Sequence, residues 1–297
     1  MKFAAVLLLL LAVPGVAKPL VVATTEDLAS IATAIAGDEL AVDFLAPGSA
    51  NTHAIELKPS YAMKLVKARA VIRMGLGLDN WVLSLIDNAR NRALVPGAPG
   101  HIDASEGCSI LDVPTDAVDR SMGDVHPFGN PHYLLDPANG LVVARNLSQR
   151  FSALFPASEA AFRRNLAAFE VAYEAKQQEW GPMVAQLRGV KVVTYHRMWG
   201  YFARFSGIDP VAEIEPKPGI PPTASHTRQV IDLMRAQAVK LIVRSPFYES
   251  KTPESMAAQT GAKVVTLAPQ VGALPEVTDY WAMFDINLRR LVGAQGG

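Results

Sequence analysis

One helical run constrains this chain more than any other feature. From Ser158 and Glu159 to about Leu187 the sequence carries no strand signal, and Phe162, Leu166, Phe169, Val171 and Tyr173 supply its apolar positions. A helix of about 30 residues is about 45 Å long, enough to reach across two small domains. Gly181-Pro182 marks a kink point near its end. Pro156-Ala157-Ser158 separates it from the N-terminal half and Gly189 from the C-terminal half. It reads as a connector between two units.

Both flanks are written in the same grammar. On the N-terminal side strands are expected at Leu20 to Thr24, Leu40 to Leu45 and Ala70 to Met74. Helices are expected at Leu28 to Ala36, Tyr61 to Lys67 and Leu78 to Asn91, with Gly37, Pro47-Gly48 and Gly75 as breaks. Asp136-Pro137 reads as N-cap and first residue of another helix, running to about Phe155. On the C-terminal side the expected strands are Val190 to Tyr195, Val211 to Ile214, Val239 to Val243 and Ala262 to Leu267. Helices fall at Met198 to Phe205, Ser225 to Gln237, Pro253 to Thr260 and Asp279 to Leu291. Strands alternating with helices mean parallel sheets and an α/β fold. Residues 93 to 125 read as irregular surface holding one short strand, Ser109 to Val113, and a solvated His101.

The first residues stand apart. Lys2, the apolar run Phe3 to Val13, and small residues at Gly15 and Ala17 describe a secretory signal peptide cleaved after Ala17. The run is shorter than the ~20 residues a membrane-spanning helix needs. Lys18 rather than a cysteine stands immediately after the cleavage point, so no lipid anchor is expected. The expected organisation is signal peptide 1–17, N-terminal lobe 18–156, linking helix 157–188 and C-terminal lobe 189–297. The formal net charge is +0, which gives no electrostatic case for nucleic acid or an anionic membrane surface. Cys108 is the one cysteine, so neither an internal disulfide nor a cysteine-rich zinc site can form. A metal must be held by His, Asp and Glu.

Three histidines stand where an α/β protein places ligand groups, beyond the carboxyl ends of its strands or in a turn. His53 follows the second strand in the loop Ala46-Pro-Gly-Ser-Ala-Asn-Thr-His53. His196 stands at the end of Val190 to Tyr195. His132 lies in Asp124-Val-His-Pro-Phe-Gly-Asn-Pro-His-Tyr-Leu-Leu-Asp-Pro137, where Gly129, Asn130 and Pro131 force a turn just before it. Neutral imidazole is a common metal ligand. Each histidine taken singly also fits a solvated or backbone-capping role.

Further segments surround them. They are Val21-Val-Ala-Thr-Thr25 with Ile35-Ala-Gly-Asp38, and His53-Ala-Ile-Glu-Leu-Lys-Pro-Ser60 after Pro47-Gly48. Next come Gly75-Leu-Gly-Leu-Asp-Asn-Trp81, Asn130-Pro-His-Tyr-Leu-Leu-Asp-Pro137 and Tyr195-His-Arg-Met-Trp-Gly-Tyr-Phe202. Thr260-Gly-Ala-Lys-Val264 and Thr278-Asp-Tyr280 with Asn287 complete the set. In this order and spacing, over nearly the whole mature chain, they resemble the periplasmic zinc- and manganese-binding proteins of metal ABC importers.

That resemblance implies two parallel-sheet α/β lobes joined by one long rigid helix, with a metal site in the cleft between them and little lobe movement. It implies a monomeric carrier in the periplasm, serving an ABC permease and its ATPase, and no enzyme activity. The ligands it implies are His53, His132, His196 and Asp279. Relatives often carry the acid one place earlier, where this chain has Thr278, so Glu249 and Asp285 stand in reserve. Three imidazoles and a carboxylate make a closed tetrahedral site suited to Zn²⁺. Mn²⁺ is the second choice, because the family's manganese proteins tend to exchange an imidazole for a harder carboxylate. Some zinc relatives carry a histidine-rich loop before the second ligand; here that region has His101 and His126 alone, so one principal site is expected. His126 is open between assisting capture, supporting another ligand and plain solvation. Glu56, Tyr195 and Glu215 are candidates to orient the ligating rings. The alternatives are a manganese- or iron-specific member, a metal chaperone or adhesin, and a zinc hydrolase. The hydrolase has no His-Glu-x-x-His or similar motif behind it.

Overall fold

The computed structural model describes residues 17–116, 122–124 and 126–296. The expected signal peptide, apart from Ala17, lies outside them. The N-terminal sheet holds β1 (Leu20–Thr25), β2 (Ala41–Ala46), β3 (Ala70–Arg73) and β4 (His101–Asp103) in the order β2-β1-β3-β4. The C-terminal sheet holds β5 (Lys191–Thr194), β6 (Asp209–Glu213), β7 (Leu241–Arg244) and β8 (Lys263–Thr266) in the order β6-β5-β7-β8. Every strand pair in both sheets is parallel. The central strands β1, β3, β5 and β7 are mostly buried and apolar because helices cover both faces of such sheets.

Helices α1 (Glu26–Ala36), α2 (Pro59–Val66) and α3 (Trp81–Ala89) cross between strands of the first sheet. Two helices then leave it, α4 (Pro137–Leu154) and α5 (Glu159–Leu187). Proline occupies the first turn of α2 and of α4, where its missing N–H costs nothing. Asp136 caps α4 by accepting from the Ala138 N–H at 2.9 Å. The second sheet is joined by α6 (Gly200–Ser206), α7 (Ala224–Ala236) and α8 (Lys251–Thr260), and α9 (Tyr280–Gln295) comes after it.

The long helix appears as expected, and Pro182 lies inside it. It packs on α1 and α4 of the first lobe and on α6 and α9. Its buried side chains include Phe162, Phe169, Trp180 and Leu187, whereas Val171 is 71% exposed and off the packing face. Trp180 meets Phe205 and Phe284 at ring distances of 5.4 and 5.2 Å. One continuous cluster of buried apolar side chains runs from Val21 and Ile72 through Phe162 and Trp180 to Val192 and Val243. The outer face of each sheet has its own smaller cluster.

Two expectations fail between residues 93 and 125. Ser109 to Val113 forms no strand; Asp112 adopts a positive φ of 53°, which interrupts extended backbone. The edge strand is His101–Asp103 instead, paired with β3. His101 is accordingly not a free solvated ring: it is half-buried, with its Nδ1 2.8 Å from the Leu94 carbonyl.

The lobes also meet across the cleft. The Gln270 amide donates to the Gly48 and Ala50 carbonyls, and the Val271 N–H to Asp27. A Cβ at Gly48 would lie 1.7 Å from the Val271 carbonyl oxygen, so glycine permits this approach.

Candidate metal centre

Three segments bring imidazoles to one point. His53 lies in a short 3-10 turn (Thr52–Ala54) after β2, with its N–H bonded to the Asn51 side chain at 3.1 Å. His132 precedes another such turn (Tyr133–Leu135), reached through Gly129 at a φ of 103°. His196 stands two residues past the end of β5 and is 2% exposed. One ligand atom from each ring lies within 4.8 Å of the others. The Nε2 atoms of His53 and His132 are 3.2 Å apart. Two imidazoles bound to one tetrahedral zinc at 2.0–2.1 Å keep their nitrogens roughly 3.3 Å apart.

The far nitrogen of two rings is tied down, which leaves Nε2 for a ligand. His196 Nδ1 is 2.6 Å from Glu215 Oε2, and that oxygen also accepts from the Gly219 N–H at 2.9 Å. The pairing arises from register. Thr194 lies opposite Glu213 in the β5–β6 ladder, so the residues two further on are neighbours. His132 Nδ1 is 2.9 Å from Asn130 Oδ1, whose amide nitrogen donates to Asp112 at 3.1 Å. Tyr248 stacks on the His196 ring at 5.6 Å.

Burial sets the protonation state. Desolvation, with the neighbouring His196 and His126 rings, pulls His53 down to about 3. His132 is also held well below the ordinary imidazole range, first by desolvation and then by His53, His196 and His126. These rings are neutral near pH 7 and have their lone pairs ready for a cation. Beside them opens a cavity of about 330 Å³, lined among others by Asp112, Asp124, His126, Asn130 and Arg197.

The relatives of this chain carry names that speak of zinc uptake. The family described as ZnuA, "Zinc-uptake complex component A periplasmic", matches residues 21–294. This chain belongs to that family. The high-affinity zinc uptake system protein ZnuA of Haemophilus ducreyi is 27% identical over 276 residues, covering 88% of each chain. Its namesake from Yersinia pestis is 26% identical over 280 residues, covering 88% of this chain and 86% of the relative. The crystal structure of a zinc-bound ZnuA deletion mutant superposes with a TM-score of 0.79 at 25% identity, over 94% of this chain and 99% of that one. Members of the family are solute-binding transport proteins.

Within this family fold the structure brings His53, His132 and His196 together and leaves Asp279 outside. The Asp279 carboxylate caps α9, accepting from the Trp281 and Ala282 N–H groups at 2.9 Å each. It lines a different cavity, with Glu26, Ser30 and Thr278. The reserve acids are engaged too. Glu249 accepts from Tyr195 at 3.4 Å and from the Thr252 N–H at 3.0 Å. Asp285 accepts from Trp180 and Lys176 at 2.7 Å each. Of the three proposed orienting residues, Glu215 contacts the His196 ring. Tyr195 bonds Glu249 instead, and Glu56 is exposed. Asn130 escaped the sequence reading as an orienting group, although an Asn two residues before a histidine in a proline turn is a readable signal.

Proposed function

We propose that this protein captures Zn²⁺ through His53, His132 and His196 in the periplasm and delivers it to an ABC permease driven by its ATPase. The observation that carries this reading is the 3.2 Å approach of two Nε2 atoms with a third ring alongside, all presenting nitrogen. A nitrogen-rich, thiolate-free site suits zinc better than manganese, which prefers oxygen donors. The zinc-uptake names of the relatives support the same choice. Carriage rather than catalysis fits the cluster, since Glu215 is bonded to a ligating ring and thus is not placed as a free general base.

Export rests on Lys2 and the apolar run Phe3 to Val13, with cleavage after Ala17 and no lipid anchor. Lobe boundaries at 156/157 and 188/189 are supported by the position of α5 between the two sheets. The carrier acts as a monomer in this reading. Metal analysis of the purified protein and of the His53→Ala, His132→Ala and His196→Ala variants tests the ligand set. One zinc per wild-type chain, weakened in each variant, is expected. Wild-type affinity in all three variants would overturn it.

A further inference from the structure

We propose that the Nε2 atom of His126 is the fourth zinc ligand, so that the ion is held by four imidazoles and no carboxylate. This rests on the three-histidine reading above and completes it.

The His126 ring centroid is 5.2 Å from that of His53. Its Nε2 is buried without a hydrogen-bond partner among the described residues. An orphaned buried ring nitrogen costs free energy unless something takes up its lone pair. With Nε2 unpartnered, the backbone interaction of His126 with Leu76 falls to Nδ1, which would lie 3.6 Å from a Cβ on Gly77. A histidine whose Nδ1 side is held by backbone presents Nε2 as a ligand, as His196 and His132 do with their own partners.

The segment is also anchored to the opposite lobe. The Asp124 N–H donates to the Pro218 carbonyl at 2.8 Å, in the same loop where Gly219 binds Glu215. A Cβ on Gly123 would lie 2.1 Å from that Pro218 oxygen. The stretch that carries His126 therefore leans on the loop that fixes His196. Together with His132 it lines one wall of the cavity beside the cluster.

Among the described residues no carboxylate joins the 4.8 Å ligand set, and Asp279 is engaged at α9. His126 is not one of that set, so on this proposal its side chain rotates toward the neighbouring His53 ring when the ion binds. Four neutral imidazoles leave the bound site with the full dication charge, and Asp112 and Asp124 line the adjoining cavity.

The test is zinc K-edge X-ray absorption on the zinc-loaded wild type and on His126→Ala and His126→Gln, with competition titrations of all three. Thermal unfolding of the apo proteins establishes that the variants fold. The proposal expects four imidazole donors in the wild type. Both variants should show three, with an oxygen donor in place of the fourth and affinity lowered roughly 10- to 100-fold. Three imidazoles plus oxygen in the wild type, unchanged in both variants, overturns the fourth ligand and leaves the three-histidine site standing. If His53→Ala or His196→Ala zinc protein retains the wild-type spectrum, the three-histidine reading itself falls, and this proposal with it.

Discussion

His196 and the pair His53–His132 reach the same point from equivalent ends of two similar sheets, yet they are held differently. His196 is fixed against the strand end, almost fully buried, with a carboxylate behind it at 2.6 Å. His53 and His132 ride on loops, and His132 is steadied by a neutral amide. A carboxylate behind imidazole raises its basicity as a ligand; an amide fixes direction alone. On the proposed ligand set the C-terminal lobe presents a strong, preset ligand, and the N-terminal lobe presents two nitrogens kept neutral by burial and mutual proximity.

Single substitutions test this asymmetry. His196→Ala should lower zinc affinity most, by about 100-fold or more, beyond the upper range for losing a supporting group. His53→Ala should cost less, because no carboxylate stands behind the His53 ring. Competition titration against a chromophoric chelator ranks them, and an equal or reversed order would sink the asymmetry. Glu215→Gln keeps the shape and removes the charge. A loss of roughly tenfold is expected, and Asn130→Ala should lose less than that. If Asn130→Ala costs more than Glu215→Gln, direction matters more than basicity.

Acid probes the same difference. Below an ordinary imidazole value of about 6.5 the unfolded chain takes up protons that folded His53 refuses until about 3. Apo stability therefore falls as pH drops through that window, and bound zinc should offset the loss. Zinc binding itself resists protons there, because His53 and His132 remain neutral. Three unperturbed imidazoles would lose roughly 1000-fold in affinity between pH 7.5 and 5.5. Here the loss should stay below about 100-fold in the same titration. A 1000-fold loss would show that burial does not hold these rings neutral.

The smallest effect concerns the carboxylate outside the cluster. Asp279→Ala should leave zinc affinity unchanged while costing about 1 kcal/mol of stability through the lost cap on α9. Thermal unfolding and zinc titration on the same sample separate the two, and weakened zinc binding would return Asp279 to the site.

Much of this was legible in the sequence for local reasons. Strand and helix periods, proline at the first turns of α2 and α4, and a 29-residue helix are properties of short windows. The edge strand His101–Asp103 was hidden because one apolar residue between two polar ones is too short a run to establish a period. Two of the three histidines were visible as residues past strand ends. What held them was not, because Glu215 becomes a neighbour of His196 only through the β5–β6 register. Asp279 shows the converse. Read through the family pattern it is a ligand; read locally, an Asp just before an apolar helix is an N-cap, and that is how the structure uses it.

Zinc selection by the cleft is decided by a zinc titration of the metal-free protein at neutral pH, followed by challenge with excess Mn²⁺. One tightly held zinc per chain that manganese does not displace is predicted. Displacement by manganese, or the absence of any tight zinc, would contradict a cleft built from neutral imidazoles to select zinc.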